Sequence, residues 1–354
     1  MAPCVRRYKR NSPTPLLCPI VPPLNLIFFG SGAFGLPTLR ALAQSHTLRA
    51  IISQPDRPAG RGSQLTPTPI ADYAQQQLPT VPIIKPEDVN LPDIAATIQS
   101  FNADAAVIIA FGQKLSPAVL PPEVNGPVPS RAINLHASLL PRWRGAAPIN
   151  AAILAGDPVT GNSVITIAPR MDAGLILAQS HLAIDPLITA GELHDLLSEQ
   201  GPALILDVLA RMQRGGGGTL TGQPQDESLV TKARKLHKKD GFIDFAAGAE
   251  ACRRKVHGLT PWPGVTATFR NEPLKLLRVQ VIAHSHQPAP GTLIDAAAGL
   301  VACGGDGGNT TTQPGDCLRL LEVQPSGGKK MAWAQFVNGR RPVDGEVLGG
   351  GAAS

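Results

Sequence analysis

Residues 105–110, Ala-Ala-Val-Ile-Ile-Ala, form an apolar run with nothing polar on either alternating face. A strand half-exposed to water alternates apolar and polar side chains, so an unbroken run of this length marks a strand covered on both sides. Helices must supply that cover. The flanking sequence has the alternation this requires: strand-like runs at 24–29, 48–53 and 81–84, with helical patterns over about 37–44, 70–77 and 93–102. Repeated βα units of this kind predict a mostly parallel, doubly wound α/β sheet.

The first strand runs into Gly30-Ser-Gly-Ala-Phe-Gly35, formally the G-x-G-x-x-G dinucleotide fingerprint. A dinucleotide site also needs an acid at the end of the next strand to hold the ribose hydroxyl. That strand ends Ser53-Gln54-Pro55, and Asp56 lies beyond the proline in a loop. NAD is therefore not expected, and the glycines are read as permitting a tight strand–helix turn.

Chemistry gathers instead in Ile133-Asn-Leu-His-Ala-Ser-Leu-Leu-Pro-Arg-Trp-Arg-Gly-Ala-Ala-Pro-Ile149. On a short strand, Ile133 and Leu135 point to one face while Asn134 and His136 share the other. A proline- and glycine-bearing loop follows, then a helix over 149–155. Open α/β sheets place their chemistry at such strand ends. After a further strand at 162–168, Pro169-Arg-Met-Asp-Ala-Gly174 sets Asp172 in a strand-end loop.

An Asn amide can donate to an oxygen that becomes negative in a tetrahedral intermediate. Histidine can move a proton or, as imidazolium, stabilise the same oxyanion. A carboxylate beside it can orient the imidazole or accept a proton. No nucleophile is evident, since Ser138 is not in a G-x-S-x-G elbow and no cysteine is near. Two co-bound substrates reacting directly fit better. One His and one Asp are too few ligands for a metal, and none is expected.

Beyond an extended run at 175–181, Thr189-Ala-Gly-Glu192 forms a capping box for a helix to about 199, and a separate helix is expected over 202–212. A glycine run at 215–218 breaks the chain. From Asp226 the composition turns basic, with Lys232, Arg234, Lys235, His237, Lys238 and Lys239. Short strands at 265–269, 274–282, 291–295 and 318–324, with Gly/Pro turns between them, suggest a small β-barrel of the oligonucleotide-binding kind. Residues 304–314 look like a long surface loop within it. Earlier, residues 54–69 make a long glycine-rich connection in which Arg57 and Arg61 can approach a phosphate.

The net charge of +6 favours an anionic partner, while only 4% aromatic residues argue against a base-stacking RNA platform. Five scattered cysteines without a C-x-x-C pair point to a reducing compartment, expected to be the cytoplasm, and no apolar run approaches membrane-spanning length. The basic, proline-broken residues 1–23 read as a disordered extension or a start placed too far upstream.

The stretch from Asn134 to Ile149 resembles the signature of the folate-dependent formyltransferases. With Gln54-Pro-Asp-Arg-Pro-Ala-Gly-Arg-Gly62 and Asp226-Glu-Ser-Leu-Val-Thr-Lys-Ala233, the resemblance narrows to the branch acting on methionyl-tRNA, and runs from about residue 24 to 341. It implies a Rossmann-like catalytic domain over 24–212, a basic flexible linker over 213–240, an OB-like domain over 241–342 and a disordered tail over 343–354. It implies 10-formyltetrahydrofolate as co-substrate and initiator Met-tRNA as acceptor; the chain itself is expected to be a monomer. By motif, Asn134, His136 and Asp172 would be catalytic. Ser138, Leu139, Leu140 and Pro141 would border the folate, with Phe111, Gly112 and Gln113 helping to enclose it. Arg61 would enter the tRNA acceptor region, with Arg57, Lys232, Arg234 and Lys235 as further tRNA contacts. Three features depart from the pattern: the composition of the 30–35 loop, which keeps Phe34, the length of the 304–314 loop, and the N-terminal extension.

Overall fold

The computed structural model describes residues 22–59, 64–120, 131–214, 221–284, 288–304 and 316–350. Arg61, the glycine run 215–218, most of the 304–314 loop, Cys4, Cys18 and nearly all of the N-terminal extension lie outside them. In chain order the first unit comprises β1 (Asn25–Gly30), α1 (Leu36–Ser45), β2 (Thr47–Ile52), β3 (Arg57–Ala59), β4 (Gln64–Thr66), α2 (Pro69–Gln77), β5 (Ile83–Ile84), α3 (Pro92–Ser100), β6 (Ala105–Ile109), β7 (Ala132–His136), β8 (Arg144–Gly145), α4 (Pro148–Ala155), β9 (Val159–Thr166), β10 (Ile176–Ala183) and α5 (Ala190–Arg214).

Seven of these strands form one sheet in the order β10-β9-β7-β6-β1-β2-β5. β5, β2, β1, β6 and β7 run parallel, and β9 and β10 join antiparallel at one edge. β6 is buried along its length. Ala105, Val107 and Ile109 enter one core with α1, α2 and α5, while Ala106 and Ile108 enter a second with α3. The doubly covered apolar run is therefore the sheet's central strand, as its sequence requires. The chain winds outward from β1 through β2 to β5, then returns to build β6 and β7 on the other side. This reversal opens a crevice beyond the carboxyl ends of β1 and β6.

Two local expectations differ from what is found. The 54–69 connection holds an antiparallel ribbon, with Arg57 opposite Thr66 and Ala59 opposite Gln64. The two helices expected on either side of Pro202 are one helix, α5. An interior proline costs about 3 kcal/mol. Yet Leu193 and Leu197 before it, and Ile205, Val208 and Leu209 after it, all reach the same core. Each fully buried Leu, Ile or Val contributes roughly 1.5–3 kcal/mol, so one continuous helix outweighs the broken one. Gly201 permits the close approach, because a Cβ there would lie 2.7 Å from Leu135 Cδ2.

The second unit comprises β11 (Lys232–Ala233), α6 (Ala249–Leu259), β12 (Val265–Phe269), β13 (Glu272–Ala283), β14 (Leu293–Asp295), β15 (Leu300–Ala302), β16 (Asp316–Pro325), β17 (Met331–Ala332), α7 (Trp333–Arg340) and β18 (Gly349–Gly350). Its antiparallel sheet, β14-β15-β16-β13-β12-β18 with β17 beside β16, curls around its own core in an OB-like arrangement. α6 and α7 are additions that the strand-based reading does not anticipate. Arg253, Arg254 and Lys255 occupy the outer part of α6, while Cys252, Val256 and Leu259 bury its inner face at helical spacing. Within the tail expected over 343–354, residues 348–350 pack, with Leu348 buried and Gly349 and Gly350 paired with Thr268 and Ala267, while 351–354 lie outside the described residues.

The two units are joined through polar contacts. Asn150 Nδ2 donates to the Gly258 carbonyl at 2.7 Å, and Arg278 donates to Glu192 and to the Leu187 carbonyl. His257 is fully buried, its Nδ1 facing the Pro186 carbonyl at 3.1 Å and its Nε2 accepting from Val279 N at 3.1 Å. Those partners suit the neutral ring with its proton on Nδ1, and protonating Nε2 would abolish one of them. Burial, then the charge of Arg253, pushes His257 down to about 4. Burial acts to raise the Glu192 carboxyl, but hydrogen bonds from Thr189 and Arg278 prevail and bring it to about 2.

Both groups release protons more readily in the folded chain than in the unfolded one. His257's contribution is complete above its ordinary value of 6.5 and is lost as pH falls toward about 4. That of Glu192 persists above 4.5 and is lost as pH falls toward about 2. Thermal melts across this range are expected to show a Tm that drops on acidification from pH 6.5 to 4, with His257→Gln flattening that portion of the curve. An unchanged slope in the variant would rule His257 out as the source.

Candidate active site

The crevice holds a cavity of about 650 Å³. β1 contributes Gly32 and Phe34 from the turn after it. β6 contributes Ala110 and Phe111 through Leu115, and β7 contributes Asn134 and His136. The loop after β9 brings Met171 and Asp172 to the same space. Asn134, His136 and Asp172 thus share one cavity with Phe111, Gly112 and Gln113.

The register explains the meeting. Ile133 and Leu135 are in the core on one face of β7, which turns Asn134 and His136 to the other. His136 is buried, 7% exposed, and its Nε2 lies 2.9 Å from the Trp143 carbonyl. A carbonyl can only accept, so in this contact Nε2 carries the proton. Nδ1 faces Asp172 Oδ1 at 3.7 Å, beyond hydrogen-bonding distance. The other carboxylate oxygen, Asp172 Oδ2, accepts from Gly145 N at 2.9 Å. One histidine nitrogen and one aspartate oxygen are therefore committed to backbone, and the other of each faces its neighbour.

The loop between β7 and α4 is held unusually firmly. Trp143 has φ +65°, a conformation rare for a bulky side chain. Its indole Nε1 donates to Asp157 at 2.6 Å, and Arg142 grips the same carboxylate while stacking on the indole at 4.4 Å. Burial alone would raise the Asp157 carboxyl, but the hydrogen bonds from Arg142 and Trp143 hold it below its ordinary value. Gly145, at φ +124°, lies where a Cβ would come 2.4 Å from the Ala233 carbonyl. Only glycine lets β8 sit against β11 in this way.

Ser138, Leu139, Leu140 and Pro141 do not line this cavity. Ser138 is fully buried, and its Oγ donates to the Arg142 carbonyl at 2.7 Å. Leu140 is buried, with its N–H donating to Ser163 Oγ at 3.0 Å. Leu139 borders a separate recess beside Arg142 and Trp143. Ser138 and Leu140 turn inward after His136 and tie the loop to its surroundings, while Leu139 and Pro141 are half-buried. Gln113 does border the cavity, but its amide is engaged with the backbone of residues 86–89.

Of the basic residues, Arg57 is exposed and pairs with Glu87 at 2.9 Å. Lys232 and Lys235 are exposed, and Arg234 makes a two-pronged pair with Asp240. Lys114 at the cavity wall and the buried Arg144 were not singled out by sequence. Arg144 stands inside the motif quoted, but its partners are 81 and 83 residues away and leave no local signal. Among the described residues, no group of three or more His, Cys, Asp or Glu side chains is arranged to hold a metal.

A formyl transferase family model matches residues 24–209, and a formyl transferase C-terminal domain model matches residues 235–341. A methionyl-tRNA formyltransferase of Rhodopseudomonas palustris is 38% identical over 90% of this chain and 96% of its own length. One from Methylobacillus flagellatus is 36% identical over 92% of this chain and the whole of its own. Among solved structures, an N-formyltransferase from Helicobacter canadensis, in complex with folinic acid and dTDP-3-aminofucose, aligns with a TM-score of 0.59 at 12% identity, over 84% of this chain and 98% of that one. HypX from Aquifex aeolicus, in complex with tetrahydrofolic acid, aligns with a TM-score of 0.56 at 14% identity, over 89% of this chain and 47% of that one. At such identities the structural likeness concerns the fold, whereas the sequence relatives span nearly the full length. With both domain models matched in order, the chain belongs to the methionyl-tRNA formyltransferase family of formyl transferases.

Proposed function

We propose that Asn134, His136 and Asp172 form the reacting centre of an enzyme that moves the formyl group of 10-formyltetrahydrofolate onto the α-amino group of methionyl-initiator tRNA, giving the N-formylated initiator for translation. What carries this is the meeting of the three side chains in a single cavity at the sheet's switch point, in a chain of this family. The cavity's volume lies within the range of small-molecule sites, and its walls pair apolar groups such as Ile108, Phe111 and Ile165 with few polar ones. Those walls suit a flat heterocycle, with Phe111 and Gly112 along its edge. The folate, when bound, supplies the formyl carbon.

The chain's side chains then divide the work. An α-amine has pKa ~8, so a neutral fraction is present without a strong base. As its nitrogen bonds to the formyl carbon, the formyl oxygen gains negative charge. The Asn134 amide, and His136 Nδ1 when protonated, can donate to that oxygen. Asp172 Oδ1 is free to take the proton the amine must lose, because Oδ2 is held by Gly145. The carbon–nitrogen bond to the folate then breaks, and a proton returned from the same pair goes to the departing nitrogen. The Trp143 carbonyl keeps the imidazole from turning its other nitrogen to the substrate. Ser138 to Pro141 act here by shaping the loop that presents His136.

The acceptor distinguishes this reaction from formyl transfer to a small amine such as an amino sugar. Arg57 lies on β3, Arg61 follows it in the 54–69 connection outside the described residues, and Lys232, Arg234 and Lys235 stand on the second unit as further contacts for an anionic chain. The Arg57→Ala, Arg61→Ala double variant is expected to raise KM for Met-tRNA while folate binding, followed by fluorescence titration, stays unchanged. Equal damage to both would contradict the assignment, and preferential turnover of an amino-sugar nucleotide over Met-tRNA by the unaltered enzyme would overturn the acceptor. We take the enzyme to act in the cytoplasm and as a monomer, and sedimentation equilibrium tests the second. Among the described residues, no helix is long and apolar enough to cross a membrane.

A further inference from the structure

The connection between the two units does more than join them. Gln223 exchanges backbone hydrogen bonds with Ile176, both at 2.9 Å, at the start of β10. Eight residues on, Thr231 accepts from Arg144 N through its carbonyl and from Trp143 N through its hydroxyl, each at 2.9 Å. Ala233 then accepts from Ala146 N at 2.8 Å, completing the β8–β11 pair. The segment 223–233 is thus fastened at one end to the hairpin carrying Asp172 and at the other to the loop carrying the Trp143 carbonyl that holds His136.

Gln225 lies between these anchors and uses its whole amide. Its Nε2 donates to the carbonyls of Asp172 and Gly174, each at 2.8 Å. Its Oε1 accepts from Arg144 Nε at 2.9 Å and Nη2 at 2.8 Å. Arg144, buried, also reaches Glu227 at 3.0 Å, and Glu227 in turn pairs with Arg170 on the Asp172 loop. Hydrogen bonds from Arg144 and Arg170 keep the Glu227 carboxyl below its ordinary value. Asp172 needs such support, because its backbone sits at φ +54°, a region other than glycine rarely adopts. Gln225 ties down the carbonyl on one side of this residue, and Gly145 N fixes its carboxylate on the other.

We propose that Gln225 is a positioning residue for Asp172, and that through it the inter-domain segment sets the distance between Asp172 and His136. A displacement of the second unit that drags residues 223–233 would be transmitted to both halves of the reacting centre. This rests on Asp172 taking part in the reaction as proposed above.

Gln225→Glu is the informative variant. A carboxylate keeps two acceptors for Arg144 but loses both donors to the Asp172 and Gly174 carbonyls. It is expected to lower kcat by roughly 10- to 100-fold, the scale of a misplaced reacting group, with KM for the folate unchanged. In an Asp172→Asn background the same change should add nothing further, because the group it positions is already disabled. Gln225→Met removes donors and acceptor together, and is expected to lower kcat at least as much and to lower Tm as well. An unaltered kcat in Gln225→Glu overturns the proposal, as does a loss repeated in full on top of Asp172→Asn, which would mark a general structural effect. Undiminished kcat in Asp172→Asn alone overturns it together with its premise. If Gln225→Glu fails to fold, Arg170→Ala and Glu227→Gln load the same loop from its exposed side. They are then expected to lower kcat, again without effect on the folate KM or in the Asp172→Asn background. Full kcat in both overturns the proposal.

Discussion

Replacing His136 with alanine is expected to reduce formyl transfer by ~10²-fold or more, the scale of one lost oxyanion donor. The chain should still fold. Among the described residues the imidazole makes one hydrogen bond, to the Trp143 carbonyl, and losing a single buried bond of that kind costs about 1 kcal/mol. Trp143 is meanwhile held independently by Asp157 and Arg142. The loss should therefore fall on kcat, with folate binding retained, because the proposed folate position lies along the loop after β6. Steady-state kinetics with a parallel folate titration separate these effects. A variant that binds folate poorly but turns over normally at saturation would give His136 a binding role only.

Asn134→Asp is expected to be at least as damaging, at ~10²- to 10³-fold in kcat. The two side chains have nearly the same shape, so packing around β7 is preserved. What changes is the sign of the group facing the formyl oxygen: an amide donor becomes an ionised acceptor that repels the charge gathering there. Substrate binding should change little in comparison, because the oxygen is uncharged until the amine attacks. Activity that rises steeply at low pH, where the new carboxyl is protonated and can donate again, would mark the donor role specifically. A pH profile parallel to that of the unaltered enzyme would contradict it.

These two positions were legible in the sequence for a simple reason. Period-two alternation around Ile133 and Leu135 decides which way Asn134 and His136 face, and the doubly buried run at 105–110 decides that β7 borders the sheet's centre. Asp172 was legible as a strand-end acid. Its backbone conformation and its anchoring by Gly145 and Gln225 were not, since those contacts span 27 and 53 residues. Ser138 to Pro141 illustrate the opposite case: the motif places them at the folate's border, whereas Ser138 and Leu140 are buried beneath the loop and Leu139 borders a separate recess. The continuous helix through Pro202 and the inner face of α6 likewise depend on what packs beside them, which local propensity does not contain.

The most direct measurement is a single-turnover experiment with enzyme in excess, 10-formyltetrahydrofolate labelled in its formyl group, and methionyl-initiator tRNA. Acid-gel separation of the tRNA then follows the label. The expected result is stoichiometric appearance of formyl label on the methionyl α-amine, slowed by His136→Ala and Asn134→Asp to the extents given above, with none on deacylated tRNA. Absence of labelled methionyl-tRNA from the unaltered enzyme, or its formation at the same rate in both variants, would contradict the assignment of formyl transfer to this cavity.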